Sequence, residues 1–106
     1  MTIENKYLEV LDNLGWAVSD VSSDNRLDIK KRSPAGEDYC FTVYADYLVE
    51  DVNDKADFFD VDKHVLLWVN KRGICGVPGT IRELLDDAEA IKAMLNELAD
   101  ALEAVQ

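Results

Sequence analysis

The sequence predicts an α+β fold: one helix, a three-stranded antiparallel meander, then two to three helices ending in a long C-terminal helix. Three observations carry the prediction. Ile3, Tyr7, Leu8, Leu11 and Leu14 recur at the spacing of one helix face. Between Trp16 and Ala45 the pattern changes to a period of two, interrupted by turn residues. From Leu84 to Val105 apolar residues return in alternating steps of four and three. A chain of 106 residues, 48% apolar and 31% charged, has the size and composition of a single globular domain, here residues 1–106.

The first helix is expected over residues 3–14, with Thr2 as its cap and Gly15 as the left-handed residue that ends it. Trp16 to Val21 reads as a strand in which Trp16 and Val18 share a face; Val21 falls out of phase, which predicts a bulge or an early end. Ser22, Ser23, Asp24 and Asn25 form a turn cluster. Arg26 to Arg32 alternates, with Leu27 and Ile29 on one side and Arg26, Asp28, Lys30 and Arg32 on the other. Ser33 to Glu37 supplies a second turn, in which Pro34 fixes φ and Gly36 can take positive φ. Asp38 to Ala45 is a third strand, with Tyr39, Phe41 and Val43 opposite Cys40, Thr42 and Tyr44. Short connections make these three strands antiparallel neighbours.

Leu48, Val52, Ala56 and Phe59 then define a helical stripe, so a helix is expected over 46–58, with Asp46 near its positive end. Asp60 to Asp62 reads as a break and an N-cap. Two readings stay open for His64 to Lys71. Val65 to Val69 has the composition of a strand, but Val61, Val65, Trp68 and Val69 fit a helix face, and Lys71, Arg72 and Gly73 form a helix stop. The helix is preferred; a fourth strand is the alternative. Thr80 and Glu83 form a capping box before a last helix from Ile81 to Val105. Such a helix spans about 37 Å. That exceeds the width of three strands, so its far end packs on another helix or meets a second copy of the chain through Leu95, Leu98 and Leu102. Packing within one chain is the preferred reading.

The formal charge is −11 and is unevenly spread. Residues 1–45 carry five basic and eight acidic side chains, net −3, and residues 46–106 carry six and fourteen, net −8. Between Asp46 and Asp62 seven carboxylates face one lysine, Lys55. Such a chain is repelled by nucleic acid and by anionic membranes, and is attracted to basic protein surfaces. Solubility alone also accounts for acidity of this kind. No run of apolar residues is long enough to cross a membrane as a helix. No basic segment followed by an apolar block opens the chain, which predicts a cytoplasmic location and free thiols at Cys40 and Cys75. Cys40, in a strand, reads as a small buried thiol.

Motifs for chemistry fail on spacing. The Gly73–Thr80 segment has the glycines of a phosphate loop, but no lysine precedes Thr80, Pro78 removes a donor, and the helix that follows is acidic. Asp60 to His64 begins like a calcium loop, but Val65 stands at its sixth position and Lys71 at its twelfth. Cys40, His64 and Cys75 lack paired zinc spacing. His64 is the sole histidine, and Ser19, Ser22, Ser23 and Ser33 lie outside any nucleophile elbow. No catalytic residue, metal or cofactor is therefore expected. Arg26, Lys30, Lys31 and Arg32 form the one basic cluster; the order helix, three strands, helix matches a double-stranded RNA-binding domain, but the acidic last helix argues against that function.

Ser33 to Asp38, Trp68 to Gly73 and Gly76 to Ala88 resemble stretches in small uncharacterised acidic proteins of phages and mobile elements of gut Firmicutes, a resemblance that implies no particular activity. The layout and charge are also loosely similar to acidic phage inhibitors of Cas9, which place carboxylates where DNA phosphates would lie; no residue-by-residue motif is shared. The resulting expectation is a non-catalytic binding protein. Its acidic face, made of Glu50, Asp51, Asp54, Asp57, Asp60, Asp62, Asp86, Asp87 and Glu89, would engage a basic protein surface. The alternatives are a structural homodimer through the last helix, and a ligand-binding or enzymatic domain using the Gly73–Gly79 loop.

Overall fold

The computed structural model describes residues 3–20 and 24–106. The expected cap at Thr2 and the out-of-phase Val21 with Ser22 and Ser23 lie outside these residues. The order is α1 (Asn5–Asn13), β1 (Ala17–Asp20), β2 (Arg26–Arg32), β3 (Asp38–Tyr44), α2 (Leu48–Phe58), α3 (Val61–Trp68) and α4 (Ile81–Ala104). Short 3-10 turns precede α2 and follow α3. The α+β class and the element order match the expectation, and the segment with two readings is a helix.

The three strands form one antiparallel sheet in the order β1-β2-β3. Phe41 pairs with Ile29 and Val43 with Leu27, so the apolar sides of both hairpin strands lie on one face. Cys40, Thr42 and Tyr44 point to the other face and are exposed, which corrects the expected burial of Cys40. Lys31 leaves the basic cluster: it shares the inner face by parity, and its Nζ sits 5.8 Å from the centroid of the Trp16 ring.

α4 organises the helical layer. Ile91, Leu95, Leu98 and Leu102 are 0% exposed and meet Leu11, the inner sheet face, and Leu48, Val52 and Ala56 of α2. Nearer its start, Leu84 and Ala88 form a second small core with Val65 of α3, flanked by Val61, Trp68 and Val77. The great length of α4 is thus used within one chain: its C-terminal half covers the sheet and its N-terminal half holds α3. Leu95, Leu98 and Leu102 are taken up by the core, as the preferred reading has it, and the alternative of a dimer face through them has no exposed surface to use. The stripe ends at Leu102; Val105 lies past the helix and is exposed.

The ends of the helices are closed by local polar contacts. Asp60 accepts from the backbone N–H of Lys63 at the start of α3. Thr80 accepts from the N–H of Glu83 at 3.1 Å, but the Glu83 carboxylate accepts from the Thr80 hydroxyl at 2.8 Å rather than reaching its N–H. Lys92 Nζ of α4 donates to the carbonyls of Ala56 and Phe59, satisfying acceptors left open at the end of α2. No helix among the described residues is long and apolar enough to cross a membrane.

Leu98→Ala is expected to lower the unfolding free energy by about 2–5 kcal/mol, because it opens a void in the larger core. Val105→Ala should change it by less than about 0.5 kcal/mol. Urea denaturation of the two variants checks both values.

Candidate functional site

The expected acidic face divides into carboxylates with an internal task and carboxylates without one. Glu50, Asp54 and Asp57 lie at i, i+4 and i+7 on α2 and are exposed, while Leu48, Val52 and Ala56 turn inward. Asp62 is exposed in the first turn of α3. No salt bridge or side-chain hydrogen bond among the described residues engages any of these four. Asp51 is half-buried and accepts from the N–H of Tyr44 at 2.9 Å, and Asp60 caps α3. Asp86 and Glu89 are exposed on α4.

Asp87 does not belong to that face. It is buried, and both of its oxygens are taken: Oδ2 by the Ser33 hydroxyl at 2.8 Å and Oδ1 by the Ala35 N–H at 2.9 Å. The physical reason is its place on α4, three residues after Leu84 and four before Ile91, on the inward side of the helix. Ser33 Oγ also accepts from the Glu37 N–H at 3.0 Å, and Glu37 Oε1 lies 2.9 Å from His64 Nε2. The turn between β2 and β3 is therefore fastened to α4 at one end and to α3 at the other. His64 is half-buried in this network, with its ring edge-on to Tyr39 at 5.9 Å and tilted against Phe59 at 5.1 Å.

Beneath this turn lies a cavity of about 460 Å³, walled by the turn, α3, the Gly73–Gly79 loop and the start of α4. The size is that of a small-molecule site. Val65, Trp68, Val77, Pro78 and Leu84 supply apolar surface. Glu37, Asp38 and Asp87 supply carboxylates, and no lysine or arginine lines it, so it disfavours phosphate and other anions. The indole N–H of Trp68 is buried without a hydrogen-bond partner among the described residues. Cys75, exposed at positive φ, lies on the rim of the loop. No group of three His, Cys, Asp or Glu side chains suited to a metal ion occurs among the described residues.

Three side chains have displaced ionisation; the first is Arg26, raised by its hydrogen bond to the Asp24 carboxylate. Burial pushes the Tyr39 phenol up to about 12, and the carboxylate of Glu37 adds to the shift. The Cys40 thiol is also raised, by the burial its neighbours impose and by Asp28, which is opposite to what activates a nucleophile. Sequence reasoning missed the Asp87–Ser33 and Glu37–His64 contacts. The position of Asp87 on the apolar stripe of α4 was a usable signal; the meeting of Glu37 and His64, 27 residues apart, had none.

Comparison with protein-family models, with curated proteins and with solved structures returns no match. The class is thus defined by the chain's own features: an α+β domain with its helices on one face of a short sheet and, along α2 and α3, four exposed carboxylates that pair with nothing among the described residues.

Asp87→Ala is expected to destabilise the fold by about 2–3 kcal/mol in urea, since it strands the buried Ser33 hydroxyl and removes the bond to the Ala35 N–H. A second expectation concerns pH. Tyr39 ionises near 10 when unfolded and at about 12 when folded. The stability that its neutral form supplies is complete below about pH 10 and is lost as pH rises towards about 12. Tyr39→Phe should flatten the urea midpoint across that window, and ultraviolet titration should lose its highest tyrosine transition.

Proposed function

We propose that this chain is a non-catalytic binding protein whose exposed carboxylates on α2 and α3 engage a basic protein surface. The observation that carries the reading is that Glu50, Asp54, Asp57 and Asp62 are exposed and take part in no ion pair among the described residues. Carboxylates held on a rigid helix and outnumbering the nearby lysines, with none of which they pair among the described residues, keep much of their field for a partner. Leu48, Val49, Val52 and Ala56 hold the inward side of α2 in the core, which fixes the helix backbone that carries these charges.

The sharp form of the proposal is occupation of a basic DNA channel in a host defence enzyme, in the manner of the Cas9 inhibitors that the layout resembles. Net charge favours this partner class and disfavours direct nucleic-acid binding. No cofactor has a part in it. A second reading is favoured by the 460 Å³ cavity: a small neutral or cationic ligand held between Trp68 and the Glu37 carboxylate. A fragment screen by thermal shift addresses it, with Val77→Trp, which fills the cavity, as the variant that should lose any response.

For the main reading, guide-loaded Cas9 with a fluorescent target duplex is the first probe. The protein should displace the duplex, and about tenfold less effectively as salt rises from roughly 50 to 200 mM. Changing Glu50, Asp54, Asp57 and Asp62 to lysine adds two charges at each position and takes the net charge from −11 to −3. That variant should not displace the duplex. Undisturbed duplex binding with excess wild-type protein removes the Cas9 form of the proposal; equal displacement by the variant removes the role of the acidic face.

A further inference from the structure

The sheet ends at β3. Its neighbour on one side is β2, and no strand among the described residues lies on the other. Ala45 donates its N–H to the carbonyl of Asn25, so odd-numbered positions of this segment turn towards β2. The N–H of Tyr44 turns the other way and is taken by the Asp51 carboxylate. By the same alternation the N–H and C=O groups of Cys40 and Thr42 point to the open side, which is a template for another strand.

Beside this edge runs a groove. Two hollows, of about 410 and 510 Å³, lie between β3 and the helices α2 and α3, and they share Lys55, Phe58 and Phe59. The walls carry exposed apolar side chains. Phe58 is 81% exposed, Leu67 66% and Tyr44 48%, all beside the same edge. Across both hollows five carboxylates face two lysines, net −3: Asp51 and Asp54 at one end, and Glu37, Asp38 and Asp60 at the other, against Lys55 and Lys63.

We infer that this edge and groove take an extended peptide segment of a partner protein, in which lysine or arginine alternates with apolar residues, added as a fourth strand beside β3. The inference rests on the acidic-face reading and gives it a docking mode. Backbone hydrogen bonds to Cys40 and Thr42 supply register, and the two sides of an extended peptide separate by parity. Its apolar side chains rest on Phe58, Phe59 and Leu67, and its cationic ones reach Asp54 and Asp60. β3 is about 20 Å long, which sets a segment of five to seven residues. A second copy of the chain is the wrong occupant, because edge-to-edge pairing brings Asp38, Asp51 and Asp54 against the same residues of another molecule of net charge −11.

The test uses fluorescent eight-residue peptides alternating lysine or arginine with valine or leucine, and the same peptides N-methylated at every second residue. N-methylation keeps charge and side chains and removes the strand-forming N–H groups. The unmodified peptide should bind with a Kd of about 10–100 μM in anisotropy, and should slow amide exchange at Cys40 and Thr42 at least about tenfold. The N-methylated peptide should bind about tenfold more weakly, as should the unmodified peptide to Phe58→Ala, a variant whose exposed ring leaves the fold untouched. Equal binding of both peptides, or no binding at about 1 mM, overturns strand addition. If the lysine-reversal variant nonetheless loses displacement of duplex from Cas9, the acidic-face reading stands without it. Protection of Cys40 and Thr42 without peptide, together with a concentration-dependent dimer in sedimentation, assigns the edge to a second copy and also overturns the inference.

Discussion

The apolar stripe of α4 sets the layout of the molecule. A helix of this length is too long for a sheet of three strands, and its two halves therefore meet different partners. Ile91 to Leu102 close over Leu27, Ile29, Phe41 and Val43, with α1 and α2 at the sides. Leu84 and Ala88 extend beyond the sheet and are covered by α3. Because α4 gathers all the other helices to itself, the second face of the sheet receives none. That face carries Arg26, Asp28, Lys30, Thr42 and Tyr44, polar enough to remain wet, and Thr42 answers Asp28 across the strands at 2.8 Å. The open edge of β3 follows from the same cause: no strand follows it, because the remaining chain is needed to cover α4.

The buried Asp87 has a different role from the apolar contacts around it. Withdrawing a carboxylate from water costs several kcal/mol, and two short hydrogen bonds from Ser33 and Ala35 offset much of this without adding large net stability. What the contact supplies is position. The turn between β2 and β3 could adopt several conformations. With Asp87 on one side and the Glu37–His64 contact on the other, it takes the one in which Gly36 has φ 99° and the cavity stays open beneath it. An apolar residue at position 87 would fill α4 equally well and leave the turn free.

Much of the fold is legible along the chain because it depends on periodicity, which is a local property. The alternation in Arg26 to Tyr44 and the stripe in α4 each state which side is buried, and burial follows them closely. Trouble arises where one residue meets a distant one. Leu95, Leu98 and Leu102 show an apolar face, but the face itself does not say whether a sheet or a second copy covers it. Cys40 has the small apolar side chain of a core residue and lies at the exposed parity because Tyr39, Phe41 and Val43 take the inside. Asp87 was grouped with Asp86 and Glu89 by charge, though one residue along a helix is a rotation of about 100°, enough to carry a side chain from solvent to core. The candidate site was legible only in part: its exposed carboxylates follow from the pattern of α2, whereas the groove depends on how α2 and α3 return beside β3.

The acids of the 45–62 segment separate by whether the fold needs them. Asp51 closes an edge N–H and Asp60 starts a helix, so both would be retained in a protein with no partner. Glu50, Asp54, Asp57 and Asp62 do neither, and their mutual repulsion on neighbouring turns is a small cost to the folded state. Exposed Phe58 and Leu67 add a second cost, that of apolar surface left in water beside those charges. Acidity for solubility accounts for the carboxylates and gives no reason of its own for the exposed side chains beside them. The proposed basic and partly apolar partner segment would account for both at once: the same contact would neutralise the carboxylates and remove Phe58 and Leu67 from water.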